Sequence, residues 1–194
     1  MKVAIVKYNS GNTFSVGSAL SRLDLEPVIT NDPDEIASAD KVIFPGVGEA
    51  SSAMSYLREA GLDRVIQSLR SDVLAICLGM QLICTYSEEN DSTCLGILPH
   101  DVRRFPESVG KVPHVGWNTI TDLKSPLFEG VSEGSRVYFV HSYYVDAGRD
   151  ATASTEYGRS FTSALQHENF YGVQFHPEKS GQVGSRILQN FLDL

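Results

Sequence analysis

Hydrophobic and polar positions in the first part of the chain follow two alternating patterns. Uninterrupted apolar runs predict short buried strands at residues 2–6, 27–29, 41–44 and 73–76. Apolar residues at helical spacing predict a helix from Thr13, with Asn12 as its N-cap, and helical structure over residues 53–69 with a break at Gly61. This alternation predicts a parallel sheet with helices on both faces, whose ligands gather at the carboxyl ends of the strands.

After the polar stretch 88–93, helical spacing is lost until the C-terminus. Short β-like segments that suit antiparallel pairing occupy residues 102–105, 136–140, 151–155, 163–165 and 171–175. A final helix from Gln182 has its apolar residues on one face and is expected to close the core. We therefore predict an α/β fold in a single domain over residues 1–194, with a mostly parallel central sheet and antiparallel strands in the C-terminal half.

Composition and charge narrow the class of protein. The 194 residues are 42% hydrophobic and 21% charged, which is ordinary for a globular domain, and the net charge of −8 argues against a nucleic-acid partner. No apolar run approaches the length of a membrane-spanning helix, and residues 3–6 are too short for a signal peptide. We expect a cytoplasmic protein that does not bind membranes and acts on small molecules or on another protein.

Cysteine and histidine spacing favours neither a disulfide framework nor a metal site. The three cysteines form no Cys-x-x-Cys pair; Cys84 is expected to pack in the core, and Cys94 to be an exposed thiol in a polar loop. Four histidines show no metal-ligand spacing and receive no chemical role: His100, His114, His141 and His167. We expect no metal and no cofactor.

The segment 72–82 predicts a strand, a sharp turn and a helix, with Cys77 at the bend. A nucleophile on such a turn is lifted clear of the sheet, and the next backbone N–H and the helix N-terminus favour its thiolate form. The alternative is a small hydrophobic residue that caps a core strand, because free cysteine is often buried. This segment alone does not decide between the two.

A second informative segment, residues 172–180, delivers a histidine at the end of a strand. In an extended chain His176 and Glu178 point the same way, so the carboxylate can orient an imidazole that exchanges a proton with a cysteine. Alone, His176 would more simply cap a strand and Glu178 would be a solvated charge. The glycine loop 45–48, Cys77 and this segment all fall at strand ends, which favours a Cys-His-Glu triad.

Three motifs in this order and spacing resemble the class I, or triad, glutamine amidotransferases: Pro45-Gly46-Val47-Gly48, Cys77-Leu78-Gly79-Met80-Gln81 and Gln174-Phe175-His176-Pro177-Glu178. Further segments resemble the branch of that family that forms the glutaminase subunits of imidazole glycerol phosphate synthase: residues 8–12, 113–118 and 138–143. The resemblance runs nearly end to end and implies a flavodoxin-like fold.

The resemblance implies that glutamine is the substrate and that Cys77 attacks its side-chain amide. His176 would shuttle protons and Glu178 would orient it, through a thioester that water resolves. The oxyanion would be met by the N–H of Leu78 and by an N–H from the Val47–Gly48 loop, which its glycines allow to reorient. Further substrate-binding positions implied by the family are Gly48, Gln81, Ser142 and Tyr143.

The sequence departs from the family pattern in two places. Ala75 stands where the family usually has glycine two residues before the nucleophile, which can tighten the elbow. In the first loop, residues 9–11 differ from the Asp-Tyr-Gly type of sequence that is more usual in the family. This loop resembles one that faces the partner, so the departure concerns the coupling to that partner and not the chemistry.

No phosphosugar site is visible in the sequence, so the ammonia acceptor must be elsewhere. There is no P-loop and no cluster of basic residues for a doubly phosphorylated substrate. The resemblance supplies a (β/α)8-barrel cyclase subunit, which would form a heterodimer with this chain and use its ammonia in histidine biosynthesis. Candidate docking residues are Ser10, Trp117, Tyr138 and Lys179. Otherwise Trp117 and Tyr138 are core aromatic residues and Lys179 a solvated lysine.

Three rival functions remain open from the sequence. The chain could be the amidotransferase component of another pathway, such as those for anthranilate, GMP or pyridoxal phosphate; residues 113–118 argue against that. It could be a non-catalytic binding module that regulates a partner, which the intact triad disfavours. It could also be a stand-alone cysteine hydrolase or protease with a similar elbow.

Overall fold

The computed structural model describes residues 1–146 and 148–194. The strands are β1 (Val3–Val6), β2 (Val28–Thr30), β3 (Lys41–Gly46), β4 (Asp72–Cys77), β5 (Tyr86–Ser87), β6 (Ser92–Thr93), β7 (Asp101–Arg104), β8 (His114–Thr119), β9 (Arg136–His141), β10 (Tyr143–Val145), β11 (Ala151–Glu156), β12 (Ser160–His167) and β13 (Phe170–Val173). The helices are α1 (Thr13–Ser21), α2 (Pro33–Ala37), α3 (Ala50–Glu59), α4 (Leu62–Gln67), α5 (Leu78–Leu82) and α6 (Gly181–Asp193).

The main sheet has the strand order β2-β1-β3-β4-β13-β12-β10-β7-β5-β6, with β11 paired to the other side of β12. Neighbours from β2 to β13 run parallel, and β12, β10 and β7 continue the sheet in antiparallel pairs. Gly46 pairs with Cys77, and Val173 pairs with Ile76. The register therefore brings the ends of β3, β4 and β13 together at one edge, as predicted for a parallel sheet.

Side chains alternate between the two faces of the sheet, and each face has its own core. Along β1, Ala4 and Val6 join the cluster under α3, α4 and α5, whereas Val3 and Ile5 join the cluster under α1 and α6. The predicted mixed α/β fold with helices on both faces is confirmed. Within residues 1–146 and 148–194, no helix is long and apolar enough to cross a membrane.

A separate two-stranded antiparallel sheet, β8–β9, packs beside the main sheet. On its outer face Val115 pairs with Val140 and Trp117 pairs with Tyr138. Trp117 is 47% exposed, and its ring meets that of Tyr138 edge to face at 5.9 Å. This two-stranded sheet thus exposes an apolar face to solvent, while Phe139 and Val137 point into the core.

Several predicted element boundaries differ from the structure. The helical break at Gly61 is confirmed, because this glycine has a φ of 69° between α3 and α4. Strand β3 continues through Pro45 and Gly46, which were expected in a loop. The short helix α2 was not predicted; Asp32 caps it by accepting the N–H groups of Asp34 and Glu35.

Candidate active site

Cys77 ends β4 and leads directly into α5 with a φ of 54° and a ψ of −107°, a backbone conformation that residues with a side chain rarely adopt. The turn is possible because Gly79 follows: a Cβ there would collide with the carbonyl oxygen of Phe44 on β3. The helix can therefore start against the neighbouring strand. The predicted elbow is present, and Ala75 is fully buried within β4 beneath it.

His176 lies just after β13 and is held by hydrogen bonds at both its backbone and its ring. Its Nδ1 lies 2.8 Å from Oε1 of Glu178, whose side chain is inaccessible to solvent. Its backbone N–H donates to the Tyr138 carbonyl at 2.9 Å, and its carbonyl accepts from the Ser180 hydroxyl at 2.6 Å. This fixes the ring between Glu178 and Cys77.

The electrostatics of this group favour an imidazolium. Burial lowers the pKa of His176, but hydrogen bonding and charge interactions with Cys77 and Glu178 outweigh burial and raise the pKa to about 10. A protonated ring can give a proton to a leaving group. Cys77, His176 and Glu178, predicted as a triad, are therefore brought together at one edge of the sheet.

Asn12 stands at the N-cap of α1, as predicted, but its side chain makes no capping hydrogen bond. Its Nδ2 instead donates to Oε1 of Glu178 at 3.2 Å, across 166 residues of sequence. The cap position is therefore confirmed, but the Asn12 side chain has a different partner, because the loop after β1 lies beside the turn after β13, where a buried carboxylate accepts the amide. The position of Asn12 at a strand end was the one signal available in the sequence.

A buried amide network lies behind the cysteine. Gln174 donates through Nε2 to Sγ of Cys77 at 3.6 Å, and its Oε1 accepts from Nε2 of Gln81 at 3.0 Å. Gln81 also donates to the Tyr143 carbonyl at 3.0 Å. The Cys77 thiol lies 3.7 Å from the Val140 carbonyl. Gln174 is the first residue of the motif that contains His176 and Glu178, but its contact with the cysteine is seen only in the structure.

A pocket opens over the cysteine between the main sheet and the β8–β9 hairpin. Its lining residues are Val47, Gly48, Cys77, Leu78, Gln81, Glu89, Pro113, Val140, His141, Ser142, Tyr143, His176 and Lys179. All the predicted catalytic, oxyanion and substrate-binding residues line this pocket except Glu178, which is buried behind His176.

Glu89 adds a carboxylate to the pocket that the sequence did not reveal. It accepts the Ala50 N–H at 2.8 Å, and burial raises its pKa. A carboxylate at this place complements an ammonium group. The signal was an acidic residue soon after α5, in a stretch that otherwise resembles a solvated loop.

In the loop after β3, which was expected to donate one N–H to an oxyanion, the N–H of Val47 is already paired within the protein. The Val47 N–H donates to the Ser10 carbonyl at 2.5 Å, and Gly48 has a φ of 116°. The Val47 N–H would have to leave Ser10 before it could meet a charge in the pocket. Ser10, expected at a docking face, is largely buried behind this loop.

The remaining candidates fall into three groups. Trp117 and Lys179 are exposed and Tyr138 is half-buried, so the readings of Trp117 and Tyr138 as core aromatics do not hold. Cys84 is buried as expected, but the expectation of an exposed Cys94 was wrong: it is buried, and burial raises its pKa to about 11. Within the described residues, no group of three or more His, Cys, Asp or Glu side chains is arranged to hold a metal ion.

Comparison with known proteins adds a family and relatives. Residues 5–194 match the family described as Glutamine amidotransferase class-I. The chain is 57% identical over 196 residues, with both chains fully covered, to the imidazole glycerol phosphate synthase subunit HisH of Bacteroides fragilis (strain YCH46). It is 43% identical, again with full coverage of both, to the subunit of the same name from Escherichia coli (strain K12).

A solved structure with a similar fold is a glutamine amidotransferase from Thermotoga maritima. It superposes with a TM-score of 0.65 at 18% identity, and the match covers 100% of this chain and 83% of the other. At this identity the likeness concerns the fold alone.

Proposed function

The chain belongs to the class I glutamine amidotransferases, and on that premise we propose that it is the glutaminase subunit of an imidazole glycerol phosphate synthase. The observation that carries this proposal is that Cys77 and His176 line one pocket while Glu178, buried behind His176, contacts its ring. The continuous main sheet supports one catalytic domain over residues 1–194.

In the proposed reaction, the Cys77 sulfur attacks the side-chain amide carbon of glutamine, and the carbonyl oxygen takes up the negative charge. His176 gives its proton to the amide nitrogen as the carbon–nitrogen bond breaks, which releases ammonia and leaves a thioester. A water molecule then attacks the thioester while His176 takes one of its protons. Cleavage of the carbon–sulfur bond releases glutamate, and Glu178 keeps the imidazole in orientation throughout.

The pocket supplies groups for the rest of the substrate. We assign Glu89 to the α-ammonium group of glutamine, since it is a carboxylate on the pocket wall. Ser142 and Tyr143 also line the pocket and suit the α-carboxylate through their backbone, and Gln81 donates to the Tyr143 carbonyl. The oxyanion is assigned to the N–H of Leu78 together with an N–H of the Val47–Gly48 loop after that loop turns.

The relatives are named as subunits, so the chain works with a partner subunit. We propose that the partner is a (β/α)8-barrel cyclase, that the two form a heterodimer, and that ammonia passes to it for histidine biosynthesis. The exposed apolar face of β8–β9, with Trp117 and Tyr138, supports docking beside the pocket. Val140 belongs both to that face and to the pocket lining.

Replacement of Cys77 tests this proposal. In the complex with the cyclase subunit, Cys77→Ala is expected to lower glutamine-dependent synthesis by about 10⁴-fold, while added ammonium salt still supports synthesis. Cys94→Ala, a buried cysteine outside the pocket, is the matched control and should retain glutamine turnover. Glutamine hydrolysis that survives in Cys77→Ala would overturn the proposal.

A further inference from the structure

Two buried histidines that the proposed reaction does not use, His114 and His141, pair with each other at the end of the β8–β9 sheet, and His141 also lines the pocket. Nδ1 of His114 is 3.0 Å from Nε2 of His141, and Nδ1 of His141 is 2.7 Å from the Tyr143 carbonyl. That carbonyl also accepts from Gln81 at 3.0 Å. The hydrogen bonds of the two rings therefore lead to the backbone carbonyl of Tyr143, a residue of the proposed glutamine site.

The hydrogen bonds that link Asn118, the two histidines and the Tyr143 carbonyl can run in one direction only. A carbonyl only accepts, so Nδ1 of His141 must carry the proton, and its Nε2 must accept from Nδ1 of His114. Nε2 of His114 is then also an acceptor, and Nδ2 of Asn118 faces it at 3.4 Å. The Tyr143 carbonyl at one end and the Asn118 amide at the other thus determine which nitrogen of each ring is the donor.

The orientation of Asn118, at the outer end, is fixed independently of the histidines. Its Nδ2 donates to the Glu156 carbonyl at 2.9 Å, and its Oδ1 accepts the Thr119 N–H at 2.8 Å. The side-chain amide therefore cannot turn its oxygen toward His114 without losing both hydrogen bonds. A donor is consequently presented to the ring at this end.

Burial keeps both rings neutral, and aromatic stacking fixes the orientation of His114. His114 is stacked between Tyr157 and Phe139, with ring centroids 4.0 and 4.8 Å away. Burial lowers the pKa of His114 to about 4 and that of His141 to about 3, and charge on His176 acts in the same direction on His141. Only a neutral ring can both donate and accept, as the chain requires.

We propose that His114 and His141 are positioning residues for glutamine binding: a one-way hydrogen-bond relay from Asn118 holds the Tyr143 carbonyl, and with it the Gln81 amide, in the pocket. This inference rests on the proposed glutaminase function. The part of the relay that acts on the pocket is the Nδ1–H of His141, and His114 acts through it by occupying Nε2.

The tautomers can be measured directly in the wild-type protein. In the complex with the cyclase subunit and with ¹⁵N-labelled histidine, two-bond ¹⁵N–¹H correlation spectra near neutral pH should show both rings neutral with the proton on Nδ1. A proton on Nε2 of either ring, or a charged ring, would overturn the relay. This measurement needs no variant and therefore does not depend on the folding of a mutant.

Steady-state kinetics of two variants of His141, one without and one with a hydrogen-bond donor, separate a positioning role from a packing role. His141→Leu fills the site but removes the donor, so KM for glutamine should rise about tenfold with kcat nearly unchanged. His141→Asn places its Nδ2 about where Nδ1 of histidine stands, keeps the hydrogen bond to Tyr143, and should restore KM to within about threefold of wild type. Equal KM values for the two variants would overturn the proposal.

Failure of this inference is distinguishable from failure of the proposed function. If the wild-type complex does not hydrolyse glutamine, the proposed function fails, whatever the spectra show. If the wild-type complex hydrolyses glutamine and the tautomers or the KM difference are absent, the relay fails alone.

Discussion

Cys77, the proposed nucleophile, occupies a backbone conformation that costs free energy, and the surrounding structure must hold it there. A non-glycine residue with a φ of 54° and a ψ of −107° carries strain of about 1–3 kcal/mol. Register with Gly46 on β3 and the close approach that Gly79 permits oppose its relaxation. The strain places the sulfur beside His176, where the proton transfers of the proposed reaction take place.

Replacement of Glu178 by Gln tests the charge behind His176. Gln keeps the size of the side chain but removes a charge that raises the pKa of His176, so that pKa falls from about 10. Because the proposed reaction needs a protonated ring to release ammonia, activity is lost as pH rises through that pKa. Glu178→Gln should therefore lower kcat by about 10²- to 10⁴-fold and move the alkaline limb of the pH–rate profile to lower pH.

Glu59→Gln, at an exposed carboxylate at the end of α3, is the control and should leave the profile unchanged. If Glu178→Gln lowers kcat without moving the alkaline limb, the carboxylate orients the ring but does not stabilise its charge.

The turn between β13 and α6 places two of the three proposed catalytic residues. The Ser180 hydroxyl donates to the His176 carbonyl and accepts the Tyr138 N–H at 3.0 Å, which ties this turn to β9. Gly184, one turn into α6, lies against the carbonyl of Pro177, where a Cβ would collide with the oxygen. Close approach of helix and turn thus sets the position of the residues on either side of Pro177.

Gly184→Ala should reverse the usual effect of this substitution. In an ordinary helix interior, alanine is more stable than glycine by about 1 kcal/mol. Here the added Cβ must displace the Pro177 carbonyl, so we expect a lower melting temperature and a fall in kcat of about tenfold or more, because His176 and Glu178 move with the turn. Calorimetry and glutaminase assays measure both effects.

Ser185→Ala, at the next position of α6, introduces the same residue without the collision. It should leave melting temperature and kcat near wild type. Equal behaviour of the two variants would show that the turn yields to the methyl group at no cost.

Elements with strong local patterns were predictable, whereas contacts between distant segments were not. The apolar run before Cys77 and the one-sided apolar face of α6 depend on local residues, and both elements are found where expected. Strand β8 was missed because its pattern is reversed: its buried residue is the polar His114, whereas its apolar residues Val115 and Trp117 are exposed. The contact of the Asn12 side chain with Glu178 was missed because the two residues are 166 positions apart.

At the scale of the whole molecule, the outer face of β8–β9 is the surface that we propose the partner subunit covers. Trp117→Ala should weaken binding of the cyclase subunit by at least about tenfold, since buried tryptophans at interface centres commonly contribute that much. Ile29→Ala, an exposed apolar residue on edge strand β2, is the matched control and should leave the affinity unchanged. Isothermal titration calorimetry measures both, and equal affinities would place the docking surface elsewhere.

The buried histidines also predict how the stability of the whole chain depends on pH. The pKa of His114 is lowered to about 4 in the folded chain by burial, whereas an unfolded histidine titrates near 6.5. As pH falls below about 6.5, the unfolded chain therefore takes up a proton that the folded chain does not, and stability decreases. Between about pH 7.5 and pH 5, His114 alone costs about 2 kcal/mol of unfolding free energy.

His114→Phe keeps an aromatic ring between Phe139 and Tyr157 but cannot be protonated. The variant loses hydrogen bonds at every pH, so its unfolding free energy should be lower than that of wild type at about pH 7.5. Its further loss between about pH 7.5 and pH 5 should nevertheless be smaller than the wild-type loss by about 2 kcal/mol. Urea unfolding at the two pH values measures this difference. Equal losses of unfolding free energy in the two proteins would mean that His114 is not held neutral in the folded chain.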